Sequence, residues 1–263
     1  MKKQDEELSG LKFRAVLCCS ELRGETVMKL ILPNYDFKFE DGLAEVKDGK
    51  LYIYKPGSFK EIMYRLTYLV YGKDECYFCH RKLRTNMLEI DNSKYFSQIT
   101  LDHLVPQDFG GPTITNNLRP ACSDCNSSKG NMYPDEFEEY RKYQGKKDKA
   151  SKIEKRQFKK SLEIKQKQRR LGEIESVNKE WFSDEAIRNI YVNFWITEPL
   201  GIMYRKQENF FKNYKRLPKP IVISQNRFLL DGFNTILLGK YNFCDKNIKI
   251  IVLENVYFEG FPE

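Results

Sequence analysis

The spacing of apolar residues changes character three times along the chain. Up to about residue 57 they come in short β-branched or aromatic runs, Phe13–Cys18, Val27–Leu32, Phe37–Phe39 and Leu51–Tyr54, which predict strands. Asp41-Gly42 and Asp48-Gly49 punctuate these runs as turns, and the second is a strong hairpin signal. From Ser58 the period lengthens. Ile62, Leu66, Leu69 and Val70 form a helical stripe, with Ser58 and Glu61 spaced as a capping box and Gly72 as the stop. Further on, Ser97–Leu101 reads as a strand, Gly110-Gly111-Pro112 as a tight reversal and Pro134-Asp135-Glu136 as a helix start.

Beyond that helix the apolar pattern thins. Between Arg141 and Arg170 stand fourteen Lys or Arg residues and three acidic ones, interrupted by Ile153, Phe158, Leu162 and Ile164. A helix of this composition buries little. From about Ser176 globular patterning returns: Ser183-Asp184-Glu185 caps a helix carrying Ile187, Ile190, Tyr191 and Phe194. Lys219–Ser224 and Phe228–Gly232 follow as strands, Phe233–Tyr241 as a helix and Ile248–Leu253 as a closing strand. The expected units are therefore 1–57 (β-rich), 58–140 (central), 141–175 (basic helical linker) and 176–263 (α/β).

Composition adds limits. A chain of 263 residues can bury one large core or several small ones, and its apolar (41%) and charged (31%) fractions suit a globular protein. No apolar run approaches the roughly 18 residues of a membrane span, so no membrane association is expected. The N-terminus turns acidic at Asp5-Glu6-Glu7, where a signal peptide needs an apolar stretch, so a cytoplasmic location is expected. The net charge of +8 calls for an acidic partner. Concentrated in one run, it reads as a phosphate-tracking arm, with Lys155, Arg156, Lys159, Lys160, Arg169 and Arg170 as contacts; a solvated linker helix has the same composition.

Seven cysteines sharpen the picture. Four fall into two Cys-x-x-Cys pairs, Cys76/Cys79 and Cys122/Cys125, separated by 42 residues. An odd total with this pairing argues for a reducing compartment and for structural zinc bound by four thiolates. Cys18, Cys19 and Cys244 stand apart; Cys18-Cys19 reads as a buried strand position. His80 follows the first pair as an exposed turn residue.

Between the pairs lies Asp102-His103, one of only two histidines in the chain, and then Asn117 and Asn126. Hydrolysis of a phosphodiester needs a water made nucleophilic and relief for the charge that builds on phosphate and leaving oxygen. A histidine with an ordinary pKa near ~6.5 can accept the water's proton at neutral pH. A hard divalent ion takes oxygen ligands, and Asp102 and Asn126 can supply them.

These residues resemble the HNH, or ββα-metal, endonuclease motif in its zinc-knuckle form: Asp-His, Pro, Gly-Gly, Asn-Leu, Cys-x-x-Cys-Asn-x-x-Lys-Gly. Asn117 lies fourteen residues after His103 and Asn126 twenty-three after it, similar to the HNH domain of RNA-guided CRISPR nucleases, which lack the cysteines. The resemblance covers roughly residues 60 to 135. It implies His103 as general base, Asp102 and Asn126 as ligands of Mg2+ or Mn2+, Asn117 as the residue holding the histidine loop, and Lys129 as a residue near phosphate. It also implies products with 5′-phosphate and 3′-hydroxyl ends.

The C-terminal run Pro220–Ile223, Phe228–Gly232, Leu237-Leu238 and Ile250–Leu253 is similar to the ParB/sulfiredoxin-like fold, although the His-Arg that follows Asp-Gly there is Asn234-Thr235 here. A specificity or docking module, for a second copy or another protein, is the expectation. Met203–Lys206 and Phe210–Arg216 interleave aromatic and basic residues, which suits stacking on bases or amphipathic packing equally.

The expected fold is α+β: a central zinc-stabilised ββα-metal domain with a small β-rich N-terminal unit, a basic helical linker and a C-terminal α/β unit. The expected activity is hydrolysis of double-stranded DNA. The alternatives are a DNA-binding regulatory or assembly protein retaining the scaffold, and an RNA-directed nuclease.

Overall fold

The structure, a computed structural model, describes residues 21–22, 25–55, 57–84, 97–144, 152–176, 190, 202–214, 219–242 and 249–259. The strand expected at Phe13–Cys18, the cysteines Cys18, Cys19 and Cys244, and the helix opened by Ser183 lie outside them, apart from Ile190.

β1 (Glu21–Leu22) and β2 (Glu25–Met28) pair antiparallel, and β3 (Phe37–Lys38), β4 (Ala44–Lys47) and β5 (Lys50–Ile53) form a meander. Asp48 and Gly49 turn β4 into β5 at φ 51° and 69°, the two positive values a type I′ turn requires. α1 (Phe59–Tyr71) follows, burying Ile62, Met63 and Leu66. The capping box expected there does not form: Ser58 Oγ donates to Lys55 O (2.6 Å), closing the incoming turn instead.

β6 (Leu83–Arg84), β7 (Ser97–His103) and β8 (Leu118–Cys122) make a three-stranded sheet, and α2 (Ser123–Lys129) continues directly from β8. Then come α3 (Pro134–Gln144), α4 (Lys152–Ser176), α5 (Ile202–Tyr214), β9 (Ile221–Ser224), β10 (Leu229–Asp231), α6 (Phe233–Asn242), β11 (Ile250–Leu253) and β12 (Val256–Phe258). The class is α+β, as expected.

The two ends of the chain do not form separate units. β11 pairs parallel with β2 on one side and β9 on the other, giving the sheet β1-β2-β11-β9-β10, and β12 pairs parallel with β5 in the sheet β12-β5-β4-β3. The division at residues 57 and 176 therefore cuts through shared sheets. The physical reason lies in β9 and β11, which read Ile-Val-Ile-Ser and Ile-Ile-Val-Leu and are buried at every position. Such strands need partners on both edges and cover on both faces, and a few short N-terminal strands are marginal alone.

One core joins these sheets to the middle of the chain. Leu30, Phe39, Val46, Ile53, Ile251 and Phe258 pack with Ile62 and Leu66 of α1, with Ile114 ahead of β8 and with Leu118 at its start. Two asparagines clasp the segment after β2. Asn255 exchanges hydrogen bonds with Leu30 N (2.8 Å) and O (3.0 Å), while Asn116 accepts from Ile31 N (2.9 Å) and donates to Lys29 O (2.9 Å). Thr115 Oγ1 donates to Ile31 O (2.6 Å). The loop that follows β7 is thereby anchored to the body.

The basic helix is docked at its N-terminal half. Phe158 stacks on Tyr143 of α3 (4.2 Å between centroids, 6° between planes), Leu162 joins the small core around the cysteines, and Lys165 pairs with Glu139 (2.9 Å). Arg156, Lys159 and Lys160 are exposed. The side chains of Lys155, Arg169 and Arg170 lie outside the described residues.

Candidate functional site

The four cysteines of the two pairs converge. Their sulfurs all lie within 4.8 Å of one another, with Cys79 Sγ 3.8 Å from Cys122 Sγ. Four thiolates at about 2.3 Å from one tetrahedral zinc stand roughly 3.8 Å apart, so the cluster has the size and donor chemistry of a closed zinc site. The first knuckle is a turn closed by His80 N→Cys76 O (2.9 Å) and tied to β8 by Tyr77 N→Pro120 O (2.9 Å). The second opens α2: Cys122 is its N-cap, and its sulfur accepts from Cys125 N (3.4 Å). Burial pushes the Cys79 and Cys125 thiols above their ordinary range; a divalent ion among the sulfurs reverses that preference and holds them as thiolates. His80 takes no part. Its side chain is 75% exposed and pairs with Glu75 (2.8 Å).

The zinc knuckle fixes where α2 starts, and α2 lies across β7. Side chains alternate along a strand, so Thr100 and Asp102 share a face and His103 takes the other. On the first face Asn126 Nδ2 donates to Thr100 Oγ1 (3.0 Å) and Leu101 O (3.2 Å), which leaves its Oδ1 on the far side of the amide. Three residues on, Lys129 meets Asp102: Nζ is 3.0 Å from Oδ2 and donates to His103 O at 2.7 Å.

This corrects the expectation for Lys129. Its side chain is wholly buried, so it does not reach phosphate but neutralises Asp102 from inside. Apart from this contact with the ammonium, no hydrogen bond reaches Asp102 Oδ2 from the described residues. Burial outweighs attraction on both sides of the pair. It raises Asp102 to about 6 against the pull of the ammonium, and it lowers Lys129 below the usual lysine range.

On the other face, the loop from Val105 to Thr113 wraps His103. Asn117 holds that loop shut: its Oδ1 accepts from Val105 N (2.8 Å) and its Nδ2 donates to Val105 O (3.0 Å) and Pro112 O (3.0 Å). The closure leaves no room for a side chain at Gly111, where a Cβ would stand 1.9 Å from Val105 O. His103 Nε2 lies 3.1 Å from both Thr113 Oγ1 and Gln107 Nε2. Burial first, and then the ammonium groups of Lys219, Lys129 and Lys60, lower its pKa to about 4. The ring is neutral at pH 7, the state a proton acceptor needs.

Residues 76–141 match the HNH endonuclease family model. The match starts at the first zinc-knuckle cysteine and ends at Arg141, which hydrogen-bonds Phe78 O and so joins α3 to that knuckle. It spans about a quarter of the chain and supports a nuclease-type function for the HNH segment, with DNA as the implied substrate. No curated protein and no solved structure matched. The ParB/sulfiredoxin-like resemblance found no support.

Several site residues were not singled out in the sequence. Gln107 and Thr113 flank the Gly-Gly reversal, and only loop closure brings them to His103. Thr100 was legible through strand alternation with Asp102. Lys60 of α1 and Lys219 before β9 reach the histidine's field only because both ends of the chain fold around the HNH segment. Arg119 faces Asp102 in the β7–β8 register, yet its guanidinium turns to the carbonyls of Thr115, Asn116 and Leu118 and covers the Tyr71 ring at 3.9 Å.

Proposed function

We propose that the protein is a DNA endonuclease that hydrolyses phosphodiester bonds in double-stranded DNA. His103 is the general base, and Asp102 and Asn126 are the oxygen ligands for Mg2+ or Mn2+. The observation that supports this most directly is the arrangement at the end of β7: a neutral histidine held by a closed loop, beside a carboxylate and an amide on the face covered by α2. His103 takes a proton from water, Asn117 keeps its loop in place, and Asp102 and Asn126 present hard donors on one face. Asp102 and Asn126 would hold a divalent ion there, and such an ion would supply charge stabilisation for the phosphate and the leaving oxygen. Zinc at the four cysteines is structural. Arg156, Lys159 and Lys160 on α4 neutralise phosphates along the duplex, with Lys155, Arg169 and Arg170 continuing the same run.

A second reading, a DNA-binding scaffold without catalysis, is favoured by one observation: Lys129 already supplies the positive charge beside Asp102. Nicking of supercoiled plasmid in Mg2+ or Mn2+ separates the two. The nuclease reading requires relaxed circles that disappear with EDTA and with His103→Ala. Tight DNA binding without nicking in either metal would establish the scaffold reading, and a matched RNA substrate tests whether RNA is cut instead.

A further inference from the structure

Two lysines outside the HNH segment bear on its histidine: Lys60, exposed in the first turn of α1, and Lys219, half-buried just ahead of β9. The walls that carry them meet behind the His103 loop. Thr113 Oγ1 lies 3.1 Å from His103 Nε2, and the next residue, Ile114, shares one core with Phe59 of α1 and Leu230 of β10. β10 pairs Asp231 with Val222, so the start of β9 lies beside the end of β10. The backbone at Lys219 is fixed there. Its carbonyl accepts from Thr235 Oγ1 (3.1 Å), and Pro220 O packs against Gly232 so tightly that a Cβ on that glycine would stand 2.6 Å away.

Charge in this corner is one-sided. Lys129 is answered by Asp102 at 3.0 Å. Lys219 acts on the His103 ring more strongly than Lys129 does, although Lys129 Nζ is only 2.7 Å from the His103 carbonyl, and Lys60 follows. Charge–charge interactions fall with distance, so an ammonium that outranks Lys129 has to be near the ring. Neither Lys60 nor Lys219 pairs with a carboxylate among the described residues; Lys60 Nζ lies 5.5 Å over the Tyr64 ring instead. Two ammonium groups without counter-charge, brought to the histidine by opposite ends of the chain, make a place for an anion.

We propose that Lys219 and Lys60 hold backbone phosphates of the DNA strand beside His103, so that residues from both ends of the chain complete the substrate site of the HNH segment; this rests on the reading of that segment as acting on DNA. A lysine ammonium is a compact point charge with three donors on a flexible stem, and it suits phosphate in that form. The bound phosphates answer the two charges that the protein leaves unanswered. The C-terminal strands thereby take a part at the reaction centre: the β9–β10 pair and the Thr235 hydrogen bond set where Lys219 stands.

Binding of a short fluorescent duplex to the full chain, in buffer without added Mg2+ or Mn2+ so that nothing is cut, tests the phosphate contacts. Lys60→Ala and Lys219→Ala should each reduce the slope of log affinity against log salt by about 0.9, the contribution of one neutralised phosphate. Lys60→Arg and Lys219→Arg should keep the parent slope, which separates lost charge from disturbed folding. Alanine variants with the parent slope overturn the proposal. The imidazole proton signals of His103 test where the phosphates sit, and comparison with His80→Asn assigns them because the chain has two histidines. They should move when the duplex is added to the parent, and Lys219→Ala should need more duplex for the same movement. Signals that stay still in the parent while the duplex is bound would place the contacts away from the histidine and overturn the proposal as well. Neither measurement needs cleavage. A parent that does not nick removes the general-base reading, and the slopes and signals still decide whether Lys60 and Lys219 hold DNA there.

Discussion

Lys129 and Asp102 are the residues at which burial and charge compete most sharply. Two ions have been taken out of water, and removing either partner leaves the other uncompensated, which typically costs about 3–5 kcal/mol. Lys129→Met should therefore lower stability by roughly that amount in urea denaturation, and adding Asp102→Asn should recover most of it. A double variant no better than the single one would mean that the pair carries little energy. His103 gives a pH signature. Its folded pKa, about 4, lies below the ordinary 6.5, so its contribution to stability is present above pH 6.5 and lost as pH falls through 4. His103→Gln should flatten the fall in stability across that window relative to the parent. Asp102, His103, Asn117 and Asn126 could be named from the sequence because a motif fixes their spacing. The burial of Lys129 could not, because it depends on α2 lying over β7, a contact between residues 25 positions apart or more.

At the level of elements, the zinc knuckle organises more than its own ligands. Phe78 meets Phe137 edge-on (5.3 Å), Phe137 stacks with Tyr140 (6.3 Å), and Tyr140 and Tyr143 both meet Phe158 of the basic helix. This aromatic row sets where the basic arm points. Phe158→Ala should weaken DNA binding evenly across sequences while zinc content stays at one per chain. Neutralising Arg156, Lys159 and Lys160 together should reduce the slope of log affinity against log salt by about 3. An unchanged slope would make α4 a solvated linker. The arm's helical character and charge were readable from composition. Its docking was not, because Phe158 and Leu162 are isolated apolar residues in a basic run and their partners come from α3 and the cysteine core.

For the whole molecule, the sequence suggested a string of units and the structure shows a shared body. At the two ends β2, β3, β5, β9, β10 and β11 were legible as short apolar strands while β4 and β12 were not, and parallel pairing between residues more than 200 positions apart leaves no local signal. The HNH segment depends on that body through Ile114, Leu118 and the Asn116 clasp. A fragment of residues 58–140 would expose Ile62, Met63, Leu66, Ile114 and Leu118, all buried in the full chain. At about 1.5–3 kcal/mol each, their loss is comparable with the whole stability of a domain. The fragment should show no cooperative melt even with zinc; a sharp transition would contradict the shared core. The chemistry itself is tested most directly by one comparison, supercoiled plasmid incubated in Mg2+ or Mn2+ with the parent protein and with His103→Ala, zinc content being measured on both. The expected result is relaxed circles with the parent, none with the variant and equal zinc in the two. Equal nicking by both proteins would contradict His103 as the base, and no nicking by either would leave a DNA-binding scaffold.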